Sequence, residues 1–195
     1  TSSVANDPIV FTTNNGDITL SSTLSNQNNE SVQFIAGTTG DISIVGAVAL
    51  TNLPTPGSTG GNLTVTSANN TTFASTVNAN NFTQVAGAGT TTFTGLVTLA
   101  SNFDFTGNNL TINGVGNNTV GGTLDVSNAG TFTTATGANL VVVSNITQDG
   151  AGANVLGGNI TATAAGADIS FLRGVTLTSS VANDPIVFTT NNGDI

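Results

Sequence analysis

The carboxylates are the side chains of this sequence most able to do chemistry. The chain has ten acidic residues and one basic residue, and it has no histidine or cysteine. Asp17, Asp41, Asp168 and Asp194 each follow a Gly or Ala and directly precede a strand-like segment. Carboxylates and turn carbonyls at such corners suit Ca²⁺, so these residues are candidate calcium ligands. An aspartate that hydrogen-bonds turn backbone is the favoured alternative, because the sequence has no glycine-rich calcium-coil repeat.

Enzymatic chemistry would require two of these carboxylates, or one carboxylate beside a cation. A glycoside hydrolase uses a pair of acidic residues that flank the scissile bond, but the spacing of the aspartates marks no pair. A polysaccharide lyase would need a cation beside a carboxylate, and Arg173 is the single basic residue. We therefore predict a non-enzymatic protein with no catalytic residue and no cofactor, Ca²⁺ being the one candidate ligand.

Threonine pairs are the second group of side chains with a chemical interpretation. Thr-x-Thr occurs at residues 64–66, 92–94, 131–133, 161–163 and 176–178. A flat array of threonines could order water and bind ice, or contact a glycan. The pairs do not recur in every predicted coil, and Thr is also favoured at the outward positions of strands. An ice- or glycan-binding face is therefore the third functional hypothesis.

The charge balance and the apolar segments exclude two classes of partner. The net charge is −9, whereas nucleic-acid binding depends on Lys and Arg that neutralise phosphates. Anionic lipid surfaces repel an acidic chain for the same reason. The longest nearly continuous apolar segment, residues 42–50, is far shorter than the ~20 residues of a membrane-spanning helix. We predict no nucleic-acid partner and no membrane insertion.

The organisation that must position these side chains is repetitive. The eighteen letters TSSVANDPIVFTTNNGDI occupy residues 1–18 and return unchanged at residues 178–195. A tandem array cut at an arbitrary point begins and ends in this way, whereas a single domain has no reason to. We therefore assign residues 1–177 to one complete repeat and residues 178–195 to the start of the next.

A shorter period within the repeat predicts a solenoid. A phrase of Gly or Asn, a polar residue, and two aliphatics separated by a polar residue recurs as GDITL at 16, GDISI at 40, GNLTV at 61, NNLTI at 108 and GTLDV at 122, and ANLVV at 138 is a looser form. Such alternation is typical of strands. The spacing from Phe34 to Phe73 equals the spacing from Phe93 to Phe132. Both are about twice the spacing from Phe73 to Phe93. These spacings indicate a period of about 20 residues, in the range of solenoids, and hence about nine coils in each repeat.

Stacking explains both the period and the scarcity of charge. A single coil buries too few side chains, at ~1.5–3 kcal/mol each, to offset ~1–2 kcal/mol of backbone entropy for every residue it orders. Stacked coils share core and backbone hydrogen bonds. Like charges in register would repel along such a stack, whereas Asn, Thr and Ser would not. LPTPGSTGG at 53–61 and SNQNNES at 25–31 interrupt the pattern and are predicted corner loops.

Segments such as GNLTV, TTFTGLVTL, NNLTING and GTLDVSNAGTFTT resemble the degenerate repeats of filamentous-haemagglutinin-like exoproteins and giant bacterial repeat adhesins. The resemblance covers nearly the whole chain, but it lies in composition and rhythm, without a fixed motif. It implies a right-handed parallel β-helix, secretion to the cell surface, and a long stalk used in adhesion, aggregation or matrix building. It implies no catalytic residue.

The sequence thus predicts an all-β parallel β-solenoid that acts as a structural segment of an extracellular fibre or adhesin stalk. The alternative is a self-associating filament, matrix or sheath subunit. Its partners would be neighbouring repeats end to end, and other filaments side by side. At the junction, we expect Ile9, Phe11 and Ile18 to begin a coil that stacks on the coil containing Ile169 and Phe171 of the preceding repeat. Residues 178–195 should superpose on residues 1–18 after translation along the axis, with some rotation.

Overall fold

The structure, a computed structural model, describes residues 8–27, 29–51, 60–179 and 185–195. These residues form 24 short strands and no helix. The first eight are β1 (Ile9–Thr12), β2 (Ile18–Leu20), β3 (Leu24–Ser25), β4 (Val32–Ile35), β5 (Ile42–Ile44), β6 (Val48–Ala49), β7 (Leu63–Ser67) and β8 (Thr71–Phe73). The next eight are β9 (Val77–Ala79), β10 (Phe82–Gln84), β11 (Thr90–Phe93), β12 (Val97–Leu99), β13 (Phe103–Gly107), β14 (Asn109–Ile112), β15 (Gly116–Val120) and β16 (Leu124–Asn128). The last eight are β17 (Phe132–Thr134), β18 (Ala138–Val142), β19 (Ile146–Gln148), β20 (Asn154–Leu156), β21 (Ile160–Ala165), β22 (Ile169–Phe171), β23 (Val175–Leu177) and β24 (Phe188–Asn191).

The strands build three parallel sheets of eight strands each. Sheet A takes every third strand from β1 to β22, sheet B takes β2 to β23, and sheet C takes β3 to β24. Each strand is therefore hydrogen-bonded to the strand three places along the chain, which is the arrangement of a three-sided coil. The predicted parallel β-solenoid is confirmed; its right-handed winding stays a prediction.

The described chain makes about eight turns of roughly 22 residues, fewer and longer than the coils that the sequence predicts. The first turns are long because more residues separate their successive strands. In sheet A the chain runs from Val32 to its partner Leu63 to complete one turn, but only from Leu63 to Phe82 to complete the next. Residues added between strands lengthen the chain without adding turns, so the average period is longer than the shortest one.

The phenylalanine spacing also has a different origin from the one predicted. Phe34 lies in sheet A, whereas Phe73 and Phe93 pair with each other in sheet B. Phe93 pairs onward with Ile112, whereas Phe132 pairs with Leu110, at a different position of the same strand. The two equal spacings therefore join different positions of the coil, and neither measures two turns of one ladder.

The core is a continuous column of inward-facing aliphatic and aromatic side chains. Burial alternates along the strands. In Ile42–Ile44, for example, the two isoleucines are buried and Ser43 between them is not. Six phenylalanines are among the fully buried side chains: Phe34, Phe73, Phe82, Phe93, Phe103 and Phe132. Apolar burial of ~25 cal/mol per Å² is the main stabilising contribution, and here the buried residues form one cluster along the axis.

One stretch of the interior is polar and is linked by hydrogen bonds between amides. Gln148 Nε2 donates to Asn128 Oδ1 at 2.7 Å, and Asn154 Nδ2 donates to Gln148 Oε1 at 3.0 Å. All three side chains are at most 1 % exposed. Buried amides cost free energy unless they are hydrogen-bonded, so this chain of amides replaces apolar packing across two successive turns. Of the side-chain oxygen and nitrogen atoms of these three residues, Asn154 Oδ1 has no hydrogen-bond partner within the described ranges.

The structure describes most of one predicted corner loop. Of the predicted residues 25–31, Ser25 ends β3, and residues 26–31, apart from residue 28, form the corner between β3 and β4. Asn26 is buried there, and its Nδ2 donates to the carbonyl oxygens of Glu30 and Leu50, both at 3.1 Å. Residues 53–59 of the loop predicted at 53–61 lie outside the described residues, as do residues 1–7 and 180–184 of the two copies.

Candidate functional site

Two of the candidate calcium residues, Asp17 and Asp41, lie in a ladder of side chains at the corner between sheets A and B. The Asp17 Oδ1 accepts a hydrogen bond from the Asp41 backbone N–H at 2.9 Å, and Asp41 Oδ1 accepts from Asn70 N–H at 3.0 Å. Asn70 Oδ1 accepts in turn from Thr90 N–H at 2.9 Å. Each side chain therefore caps the backbone of the next turn, at the residue that precedes the first inward position of the strand.

The same device occurs at the other two corners. Between sheets C and A, Asn81 Oδ1 accepts from Asn102 N–H at 2.8 Å, and Asp168 Oδ1 accepts from Asp194 N–H at 2.8 Å. Between sheets B and C, Asn139 Oδ1 accepts from Asn159 N–H at 2.9 Å. Asparagine supplies the same acceptor without a charge, so a ladder built mainly from Asn avoids repulsion between successive turns.

Sequence reasoning identified the position of these aspartates and missed their partner. The expected turn residue bonds its own backbone, whereas Asp17, Asp41 and Asp168 bond the backbone of the following turn. The sequence signal for this bonding is the polar residue that precedes the first aliphatic of the recurring phrase. Among the described residues there is no group of three or more His, Cys, Asp or Glu able to hold a metal ion. The absence of a cofactor, with Ca²⁺ as the one candidate ligand at these corners, stays a prediction.

The structure brings together one pair of carboxylates that the sequence did not mark. Asp104 of β13 and Asp125 of β16 are in-register partners in sheet A, about 4.8 Å apart along the axis. Burial, and then the neighbouring Asp125 charge, raise the pKa of the Asp104 carboxyl above its ordinary value. Like charges that lie directly opposite each other across two strands are destabilising. The pair is therefore a local electrostatic strain on sheet A.

Replacing Asp104 with asparagine is expected to stabilise the protein at neutral pH, by up to ~1 kcal/mol, the size of a directly opposed cross-strand charge pair. Because the folded-state pKa of Asp104 is raised, the wild-type penalty is absent below the ordinary pKa of about 3.9 and grows as pH rises through the folded value. Urea unfolding of both proteins at pH 3 and pH 7 measures the difference. Added salt should reduce it.

The control for this substitution is Asp149→Asn, which removes the same charge from an exposed corner. We expect Asp149→Asn to stabilise the protein less than Asp104→Asn does at pH 7, because the Asp149 side chain is exposed and lies outside the Asp104–Asp125 pair. Equal stabilisation by the two substitutions at pH 7 would mean that net charge, and not the Asp104–Asp125 pair, governs the effect.

A ladder of hydroxyl groups runs along the outer side of sheet B. Its members occupy the same outward register position in consecutive turns and are interrupted once, by Val155: they are Thr19, Ser43, Thr72, Thr92, Thr111, Thr133 and Thr176. The Thr-x-Thr pairs of the sequence did not reveal this regularity, because a single threonine per turn is what repeats. We refer to these seven residues as the hydroxyl ladder.

The second copy of the duplicated segment is seated at the end of the solenoid. Its strand β24 pairs with β21 in sheet C, with Phe188 opposite Ile160. The Phe188 ring meets the Phe171 ring edge to face, with centroids 6.2 Å apart. The backbone then crosses to sheet A, where Ile169 N–H donates to the Asp194 carbonyl at 3.0 Å.

These contacts place the residues of the expected junction. Phe188 and Ile195 are the counterparts of Phe11 and Ile18, and the sequence predicts that both stack on the coil that contains Ile169 and Phe171. In the structure the Phe188 strand lies on β21 and touches Phe171 only across a corner, while Asp194, next to Ile195, lies on Ile169.

The described parts of the two copies, residues 8–18 and 185–195, share the geometry of one turn. Asn15 and Asn192, which are equivalent, have φ of 63° and 62°, in the left-handed region that asparagine tolerates. Thr13 Oγ1 donates to the Gly16 carbonyl, and Thr190 Oγ1 donates to the Gly193 carbonyl in the same way. The sheets differ, however, since β1 belongs to sheet A and β24 to sheet C.

Comparisons of this chain with protein-family models, with curated proteins and with solved structures find no match. Within the part of the chain that the structure describes, no helix has the length and apolarity needed to cross a membrane.

Proposed function

We propose that this chain is a non-enzymatic structural segment of a long extracellular fibre or adhesin stalk, built from tandem copies of the unit 1–177. The observation that carries the proposal is the second copy of the duplicated segment. Its described residues, 185–195, continue the solenoid at β21 and β22, and the turn at Asn192 has the φ that the first copy has at Asn15. The extracellular location rests on the resemblance to repeat adhesins.

The mechanical role follows from the direction of the bonds. In a parallel solenoid the backbone hydrogen bonds lie along the axis, and here each of the three sheets extends through eight strands. The corner side chains add further bonds in the same direction, such as Asn109 Oδ1 with Thr131 N–H at 2.8 Å. Tension along the fibre therefore loads many bonds in parallel, and a polar surface with few charges faces outward.

The proposal predicts that chains of four tandem repeats form straight rods whose length grows in proportion to repeat number. With about eight turns for each repeat, and ~4.8 Å for each turn, every added repeat should lengthen the rod by roughly 35–40 Å. Negative-stain electron microscopy of two-, four- and six-repeat chains measures this increment. Beads on a flexible string, one compact particle for each repeat, would contradict a continuous stalk.

A second function, a self-associating filament or matrix subunit, is favoured by the hydroxyl ladder. Its hydroxyls lie about 4.8 Å apart along the axis, and none of its positions carries a charge, so two such ladders can approach without electrostatic repulsion. Bundles with a fixed lateral spacing in the same micrographs would support this function, and isolated rods would support the passive stalk. An ice- or glycan-binding role would use this same face and stays a prediction.

A further inference from the structure

We propose that each repeat enters the array turned by one face of the solenoid, so that the same face returns only after three repeats. The open end formed by β22, β23 and β24 is then the docking surface for residues 19–35 of the following repeat. This inference rests on the tandem array of the proposed function, and it specifies how neighbouring repeats fit together.

The turn follows from a count of strands. The duplicated segment forms β1 in sheet A and β24 in sheet C, so one repeat advances the chain by 23 strands. Since three strands complete a turn, these strands make seven and two-thirds turns. The next repeat must therefore begin one face away from the face on which this one began.

The corner beneath the second copy is longer than the corner that the second copy itself makes. The chain takes seven steps from Phe188 to Ile195, as it does from Phe11 to Ile18. The underlying chain takes nine steps from Ile160, the partner of Phe188, to Ile169, and the register shifts between Thr161 and Ala165. In that underlying corner Gly166 has φ of 73°, and its N–H donates to the carbonyl of Asn191 at 2.7 Å. The duplicated segment therefore forms a corner of the same length in both places: between sheets A and B in the first copy, and between sheets C and A in the second copy.

A glycine in the duplicated segment has a steric role in only one of its two positions. A Cβ atom at Gly193 would collide with the carbonyl of Ala167 and lie 2.9 Å from Asp168 Oδ1. A Cβ atom at the equivalent Gly16 would meet only Thr13 Cβ, at 3.8 Å. The first copy therefore carries a glycine whose close contact exists only when a preceding repeat lies beneath it.

A strand of the duplicated segment can fit on any of the three faces, because the same sequence pattern forms strands in all three sheets. GDITL forms β2 in sheet B, GNLTV forms β7 in sheet A, and ANLVV lies in β18 of sheet C. A repeat that is turned by one face therefore places equivalent strands on a surface of the same pleat, the same alternation and the same spacing.

The register of docking follows from the corner lengths. The chain takes four steps from Phe171 to Val175, and four also from Leu20 to Leu24. With Ile195 over Ile169, Leu24 of the following repeat lies over Val175, and Ser25 of the following repeat lies over Thr176. The inward-facing Val175 and Leu177 are 37 % and 52 % exposed at this open end, and the incoming strand would cover them.

A cross-linking experiment on a two-repeat chain tests the turn, and the absence of cysteine from the sequence makes every introduced thiol unique. The first variant carries Thr176→Cys in the first repeat together with Ser25→Cys in the second repeat only. The second carries Thr176→Cys in the first repeat together with Thr19→Cys in the second repeat only. In-register neighbours about 4.8 Å apart lie within the Cα separation of a disulfide, so mild oxidation reports which residue lies over Thr176.

We expect a disulfide in the first variant and little or none in the second. A disulfide in the second variant alone would mean that the repeats stack without a turn, which would overturn this inference and leave the array intact. Failure of both variants would overturn the continuous array itself, and the turn with it. Thr92→Cys with Thr111→Cys, in-register partners within one repeat, is the positive control for oxidation.

Discussion

Replacing Phe93 with alanine is expected to lower the free energy of unfolding by about 3–5 kcal/mol, the usual cost of removing a buried phenylalanine. Phe93 is fully buried. Its ring stacks on Phe73 with centroids 4.9 Å apart, meets Phe82 edge-on at 5.1 Å, and contacts Phe103 at 5.6 Å. Phe93 therefore contacts all three of the other rings in this four-ring cluster, and its removal opens a cavity inside the cluster.

Guanidinium-induced unfolding, followed by circular dichroism, measures the loss, and Val115→Ala provides the control. Val115 is 70 % exposed, so its truncation should change stability by less than about 0.5 kcal/mol. Solenoid coils depend on their nearest neighbours. The increase in amide exchange caused by Phe93→Ala should therefore be larger in β8, β11 and β14 than in the strands at the two ends of the chain. A loss below about 1 kcal/mol would show that the cluster collapses around the deleted ring.

The solenoid was predictable because its requirements are local and repeat. Alternating strands such as GDISI, turn residues between them, and the near absence of charge all point to stacked parallel coils. The number of turns was less predictable, because corner length varies: the chain takes four steps from Leu156 to Ile160 and eight from Phe34 to Ile42. Sequence spacing measures the period only where the corners have equal length.

The features of the candidate site that were missed depend on alignment between turns. Asp104 and Asp125 are distant in the sequence, and only the register of β13 on β16 makes them neighbours. The hydroxyl ladder was hidden for the same reason. The assignment of β24 to sheet C could not be inferred from the duplicated letters either, because one local pattern fits any of the three faces.

The second large effect is expected from Gly152→Ala, which adds a single methyl group at a buried corner. A Cβ atom there would overlap the carbonyl oxygen of Gly130 in the turn beneath. That carbonyl accepts a hydrogen bond from Asn128 Nδ2 at 2.9 Å, and Gly152 N–H itself donates to the Asn128 carbonyl at 2.9 Å. To relieve the overlap the turn must shift, and both bonds must lengthen.

Overpacking of this kind costs typically about 1–3 kcal/mol, and a stressed amide network adds to it, because Asn128 Oδ1 also accepts from Gln148. Gly174→Ala is the matched control: a Cβ atom there has no neighbour within 4 Å, and reduced freedom of the unfolded chain should make it neutral or stabilising by up to about 1 kcal/mol. Thermal and urea unfolding of both variants separates the two effects. Equal stabilities would mean that the turns are not in the close contact that a stacked solenoid requires, since Gly152→Ala is destabilising only if Gly130 lies directly beneath it.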